Sequence, residues 1–394
     1  MKIYSNKAHA QSERSLTSGY RRRGIGKLAG LSMVGIVGLH AHAAWSQSAV
    51  TLYGVIDEAI RYDNHQTRDG GHNITMGTGG ALLGSRWGLR GTEDLGGGSK
   101  AIFVLESGFV ANTGALAFST PGGQQRLFGR QAFVGFSHQG LGTVTFGRQY
   151  ALAYLMGSAH DVFGFANYAA TWGFQSAGLV GGARLDNTVQ YTSDKLFGFT
   201  VSGAYTFGGV AGDIHRYSSP AVSLSYDVGP LNIGAVYQQV NNIGGATPAS
   251  TQYGNTYFGI AIPDSSQKIA MVGATYALAQ AKIYAQYIFS HVYPADYRND
   301  SFSVGASYLF TPSIELRGAA YVDILHHADG EGTRVTAGPI LLYHLSKRTD
   351  LYSGVNYNHL TGQWTKLAST SGFTQSFNGY NSLFEGVVGM IHRF

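Results

Sequence analysis

The sequence predicts an all-β protein in which sixteen antiparallel strands close into a barrel that crosses a membrane. Three observations predict it. Apolar and polar residues alternate with period two along most of the chain, aromatic residues end the apolar faces, and short connections take turns with long ones. Composition agrees: 56 of 394 residues are glycine, 13% are aromatic and 12% are charged, which suits many short strands and turns better than helices. There is no cysteine, so disulfides and thiolate metal sites are excluded.

The chain begins with a basic segment ending at Lys27 and an apolar stretch from Leu28 to Leu39. Small-residue sites follow at Ala41-His42-Ala43 and Ala44-Trp45-Ser46. Residues 1–46 therefore read as an export signal cleaved after about Ala43 to Ser46, and residues 47–394 as the barrel domain. The apolar stretch is shorter than the ~20 residues a spanning helix needs. Seven basic residues against Glu13 alone give residues 1–46 a charge of +6, so the chain's +5 leaves −1 for the remainder. The basic balance belongs to the leader, and no nucleic-acid partner is expected. No later segment is strongly apolar over ~18 residues, so only a closed barrel could take the rest of the chain across a membrane.

In chain order the expected strands are Val50–Arg61, Ser85–Thr92, Lys100–Phe109, Arg126–Ser137, Thr143–Tyr150, Arg184–Thr192, Phe199–Phe207, Ala221–Asp227, Leu231–Val240, Lys268–Tyr276, Ala281–Phe289, Ser301–Phe310, Ile314–Asp323, Thr333–Leu345, Leu351–Tyr357 and Leu383–Phe394. In the second, Arg86, Gly88, Arg90 and Thr92 share one face while Trp87 and Leu89 take the other. In the fifth, Arg148 lies with Val144 and Phe146, which puts it outside, at a subunit contact. The sixth sets Arg184, Asp186, Thr188 and Gln190 against Leu185 and Val189. From Phe199 to Phe207, Phe199, Val201, Gly203, Tyr205 and Phe207 oppose Thr200, Ser202, Ala204 and Thr206. The twelfth aligns Phe302, Val304, Ala306, Tyr308 and Phe310 against serines and Gly305, and the thirteenth sets Ile314, Leu316 and Val322 against Glu315, Arg317 and Asp323. In the last, Phe384, Val388, Met390 and Phe394 share a face interrupted by His392. A soluble sandwich would alternate too. Against it stand the aromatic ends and the alternation of short turns (Glu93–Gly98, Val228-Gly229-Pro230, Thr311-Pro312-Ser313) with long loops such as Asn241–Gln267, the pattern of an outer-membrane barrel. Sixteen strands leave an aqueous lumen, and an even count lets both ends pair.

The segments VTLYGVID (50–57), GSRWGLRGTEDLGGGSKAIFVLE (84–106), GRQAFVGFS (129–137), GLGTVTFGRQY (140–150), ARLDNTVQYTS (183–193) and GVVGMIHRF (386–394) resemble, in order and spacing, the trimeric general-diffusion porins of Gram-negative bacteria. The resemblance covers the chain after the leader. It implies an outer-membrane homotrimer, in contact with outer-membrane lipid, through which ions and small hydrophilic solutes diffuse passively, with no cofactor. It implies that Phe394 is read by the barrel assembly machinery. It also implies that the third long loop, Ala151–Gly182, folds into the barrel as a constriction, opposite a basic cluster of Arg86, Arg90, Arg130 and Arg184. Alternation independently supports Arg86, Arg90 and Arg184 on the polar face, whereas Arg130 rests on the resemblance. The loop carries one acidic side chain, Asp161, where family loops often carry more, so a weak anion preference is expected. Asp57 and Glu106 are expected to face the lumen and moderate the positive field.

Other signals read as structure. Eleven histidines follow residue 46 without a two-histidine helical metal motif, and His326 and His327 would point to opposite strand faces. Gly96-Gly97-Gly98-Ser99-Lys100 lacks phosphate-loop spacing and reads as a turn. A barrel hydrolase would need a lipid-facing Ser–His pair, and no serine lies two strand positions from an outward histidine. A substrate-selective channel and an adhesion barrel are the remaining alternatives. Saturable block by a ligand would mark the first, and lack of conductance the second.

Overall fold

The structure is a computed structural model, and it describes residues 49–76, 82–117, 125–166, 183–243, 256–257, 260–262, 264–328, 330–368 and 377–394. The expected export signal lies outside the described residues, as do Tyr168, Trp172 and Phe174 of the third loop.

All sixteen expected strands are present: β1 (Ala49–Asp63), β2 (Arg86–Gly96), β3 (Ser99–Gly108), β4 (Gln131–His138), β5 (Gly142–Tyr150), β6 (Arg184–Thr192), β7 (Phe199–Thr206), β8 (Ser219–Val228), β9 (Leu231–Ile243), β10 (Ser265–Ala277), β11 (Ala281–Tyr293), β12 (Tyr297–Thr311), β13 (Ile314–His327), β14 (Gly330–His344), β15 (Thr349–Leu360) and β16 (Ser382–Arg393). Each pairs antiparallel with the next, and β16 pairs with β1 from Val55↔Arg393 to Asp63↔Glu385. The barrel is closed, which removes the unpaired edges that would be costly in lipid. A further short strand, Asn73–Met76, folds back on the end of β1.

The faces settle the orientation of the wall. Val201, Leu224, Ile233, Val304 and Val355 are exposed, while Gln238, Gln267, Asn299, Thr336 and Asn358 on the opposite face are buried. A soluble sandwich buries its apolar face; this wall turns it outward, as a barrel solvated by lipid must. Short turns connect β2 to β3, β8 to β9 and β12 to β13 at one end, and the long connections lie at the other. The glycine run is a turn in which Gly96, Gly97 and Gly98 all have positive φ, a conformation that glycine adopts without steric cost.

Two elements differ from expectation. The strand expected from Arg126 starts at Gln131, because the chain turns at residues 127–130 and brings the Arg130 N–H to the Glu106 carbonyl at 3.1 Å. In β6 the register against β5 shifts between Gly147↔Thr188 and Gln149↔Leu185, with Asn187 at φ 51°. This bulge inserts one residue and reverses the alternation beyond it. Asp186 therefore does not share the face of Thr188.

A helix within the third loop, α1 (Leu152–Ala159), went unforeseen. Side chains of this segment meet the wall on its polar face, where Gly234 and Gly273 leave room for Met156 and His160, and Gly305 for Val162. A second helix, α2 (Gly362–Ala368), lies against β13 and β14, where its Trp364 is fully buried and donates to the Asp323 carbonyl at 3.2 Å.

Candidate functional site

Strand alternation delivers three charged side chains of β1 to β3 to the polar face: Asp57, Arg86 and Glu106. Glu106, 4% exposed, is the centre of the site. Its Oε1 accepts from Arg130 Nε at 2.7 Å, its Oε2 accepts from Tyr53 Oη at 3.0 Å, and Arg86 Nε stands 3.8 Å from Oε2. Arg86 also donates to the Gly84 carbonyl at 3.0 Å. Four residues along β2, the guanidinium of exposed Arg90 lies 5.4 Å from the Tyr53 ring centroid.

The cluster continues through Tyr150. Its hydroxyl oxygen accepts from Arg130 Nη2 at 2.6 Å and from Arg184 Nη2 at 2.9 Å. The Arg184 guanidinium lies 4.5 Å from the Tyr150 ring centroid and 5.7 Å from that of Tyr154 on α1. The two tyrosine rings stack at 5.2 Å, so α1 closes one side of the arginine site. Burial pushes the Tyr154 hydroxyl above its ordinary value, opposed by the positive charge of Arg184. Three guanidinium groups thus gather around one carboxylate and one phenol, a stack that cation–π attraction and charge-assisted hydrogen bonds hold together.

The structure gathers Arg86, Arg130 and Arg184 around Glu106 and Tyr150 and gives them unequal accessibility. Arg130 and Arg184 are 5% and 9% exposed, so they brace the wall rather than line open space. Arg86 and Arg90 are the more accessible members.

The two aspartates need a larger correction. Asp57 is fully buried: Oδ2 accepts the N–H groups of Leu82, at 2.9 Å, and Leu83, and Oδ1 accepts from Tyr352 Oη at 2.6 Å. Asp161 is built alike. Its Oδ2 accepts the N–H groups of Phe163 and Phe165 at 3.1 and 3.0 Å, and its Oδ1 accepts from Tyr321 Oη at 2.5 Å. Burial pushes the Asp161 carboxyl above the ordinary carboxylate range, and these hydrogen bonds oppose the shift. Each aspartate ties a loop backbone to a tyrosine of the wall, so neither is a solvated counter-charge: not Asp57, expected to face the lumen, nor Asp161, placed in the loop by the resemblance. Tyr321 and Tyr352 carry no signal in sequence beyond their strand position.

Arg148 shares the strand parity of exposed Phe146 and already has partners within the barrel. It donates to Asp186 at 2.7 Å and to the Gly129 carbonyl at 2.8 Å, and Arg126 meets the same aspartate at 2.7 Å. The bulge at Asn187 is what turns Asp186 outward to them. At the chain's end, the Phe394 backbone exchanges two hydrogen bonds of 3.1 Å with Gly54. Its ring occupies the space a Gly54 side chain would need.

A family model described as Gram-negative porin matches residues 31–363. The chain is similar to an outer membrane porin protein of Bordetella pertussis, 34% identical over 55% of this chain and 62% of that protein, just under two thirds of its length. It is also similar to outer membrane porin protein 32 of Delftia acidovorans, 30% identical over 80% of this chain and 85% of that one. Among solved structures, an anion-selective porin from Comamonas acidovorans superposes with a TM-score of 0.70 at 24% identity, covering 88% of this chain and 100% of its own. OmpT of Vibrio cholerae, in a trimer form, superposes with a TM-score of 0.60 at 16% identity, covering 88% and 99%.

Proposed function

The chain belongs to the Gram-negative porin family, and on that premise we propose an outer-membrane diffusion channel for ions and small hydrophilic solutes with a weak preference for anions. The observation that carries the preference is the charge balance around Tyr150 and Glu106. Arg86, Arg130 and Arg184 face a single ionic partner among the contacts described above, and Arg90 adds a further positive charge on the accessible side. Asp57 and Asp161 spend their oxygens on loop amides and tyrosines and offset little of this. Salt screens such charges over ~8 Å at physiological ionic strength, so the outcome is a bias in flux and not exclusion.

In this reading the segment from Ala151 to Gly182 is the constriction loop, with α1 narrowing the lumen against the arginine wall. Residues 1–46 are an export signal removed after about Ala43 to Ser46. Three copies assemble in outer-membrane lipid, and Phe394 is the residue read by the assembly machinery. The Comamonas acidovorans porin is described as anion-selective, and the same sense is proposed here.

The test is a planar-bilayer recording with refolded protein across a salt gradient. The expected zero-current potential has the anion sense at low salt and fades as salt is raised. A firm cation preference at low salt overturns the proposal.

A further inference from the structure

We propose that, in the homotrimer inferred above, Glu58 of each protomer pairs with the Arg126–Asp186–Arg148 cluster of the next protomer. The inference rests on that trimeric reading and adds the contact that holds it. Glu58 lies on the outer face of β1, between Ile56 and Ile60, which are 42% and 58% exposed, and opposite Met390 of β16. One carboxylate oxygen accepts only the N–H of the next residue, Ala59, at 3.1 Å. The other, Oε2, is covered by neighbouring side chains and has no hydrogen-bond partner among the described residues, although Glu58 as a whole is partly exposed. A carboxylate in an apolar, outward-facing surface, with one oxygen covered and unpartnered, is better satisfied when its side chain turns to meet a cation on a neighbouring barrel.

The chain supplies one on a different part of the same outer face. Arg126 and Arg148 share the single carboxylate of Asp186, so the cluster has an excess positive charge. Exposed Phe146 and Val134 lie beside it, and the side chains of Arg126 and Arg148 are themselves largely covered. The excess charge of the cluster and that of Glu58 are equal and opposite.

The two sites also stand at the same height. The hydrogen-bonded row through Leu52 of β1 passes Leu89, Leu105 and Ala132 and ends on Arg148 of β5. Rows climb toward the long-loop end in this direction. From Val55 one row reaches Gly108 at the far end of β3, whereas the opposite way it meets Arg393 and the turn at Arg348. Four strand spacings of ~4.8 Å at a tilt of ~40° lift Arg148 about 12 Å above Leu52. Six residues at ~3.4 Å each lift Glu58 about 15 Å above the same residue. The remaining difference is within the reach of Arg and Glu side chains. Within one barrel the two sites, four strands across and six residues along, are ~28 Å apart over the sheet and cannot meet. Between copies rotated about an axis along the membrane normal they can, and a contact between two different patches is what closes a ring. Shape agrees: beside Glu58 an apolar groove of about 430 Å³, lined by Ile60, Tyr62, Ile74, Val355, Gly386 and Val388, lies open to receive side chains of the neighbouring barrel.

The absence of cysteine makes the test direct. Full-length protein carrying Glu58→Cys and Arg148→Cys, treated with a short bis-maleimide in the membrane, is expected to give covalently joined chains up to three on boiled gels. Either substitution alone is expected to give none. Unheated trimers of normal mobility that yield no joined chains overturn the pairing while leaving the trimer intact. If the untreated wild type forms no trimer, the trimeric reading fails first and the pairing with it. As a second measurement, Glu58→Arg is expected to lower the temperature at which trimers dissociate, and adding Arg148→Glu to raise it again. A double variant no better than Glu58→Arg alone also overturns the proposal.

Discussion

Burial divides the arginines of the wall by role. Arg86 and Arg90 have side chains that solutes can reach, so neutralising them acts on flux. The Arg86→Gln, Arg90→Gln double variant is expected to move the zero-current potential toward cations with assembly unchanged. Arg130 is different, because it is the close partner of buried Glu106. Removing one member of a buried ion pair leaves the other uncompensated, at a cost of about 3–5 kcal/mol. Arg130→Gln is therefore expected to lower the urea midpoint of the folded barrel, and Arg130→Gln with Glu106→Gln to recover part of the loss. Equal midpoints for wild type and Arg130→Gln would show that Arg86 and Tyr53 suffice for Glu106. Asp161 allows a sharper test of the loop. Tyr321→Phe removes one hydrogen bond to a carboxylate, worth about 1.5–3 kcal/mol when the acceptor is charged. Single-channel records of that variant are expected to be noisier, with the barrel's thermal transition little changed. Quiet records identical to wild type would mean the loop does not depend on this tie.

At the level of strands and loops, closure and the bulge matter most. The β1–β16 seam is sealed by the reciprocal hydrogen bonds of Gly54 and Phe394, with the terminal ring seated over the glycine. Deleting Phe394 is expected to lower the yield of assembled barrel far more than deleting a residue from an extramembrane loop. Gly54→Leu, which evicts the ring without shortening the chain, is expected to fall between them. Heat-modifiable gel bands quantify all three, and equal yields would remove support for the seam. The bulge at Asn187 has an equally local cause, one inserted residue, and a distant effect, since it delivers Asp186 to Arg126 and Arg148 on the outer face.

For the whole molecule, a closed wall with apolar residues outward and polar residues inward fits only a lipid surround and a wet interior. Circular dichroism dominated by strand, heat-dependent mobility on gels and conductance in steps that reflect three subunits are the expected properties. Protein that refolds to a β-rich barrel but never conducts would sink the channel reading while sparing the fold.

The strands were legible in the sequence because the period of two is a local property: each residue's face follows from its neighbours'. The sixteen strands followed from that period together with the turn signals and the aromatic ends. Tertiary structure decided what period two cannot encode. Alternation could place Asp57 on the polar face, and the family resemblance could place Asp161 in a loop within the barrel. Neither could foresee that loop amides and the tyrosines of β13 and β15 would cover them. Nor could alternation foresee that one extra residue in β6 would reverse the parity of Asp186, or that Tyr150 would bind two arginines. A strand's faces are written within ten residues; the fate of a buried charge depends on which distant loop folds over it, because only a contact made on folding can replace the water it loses.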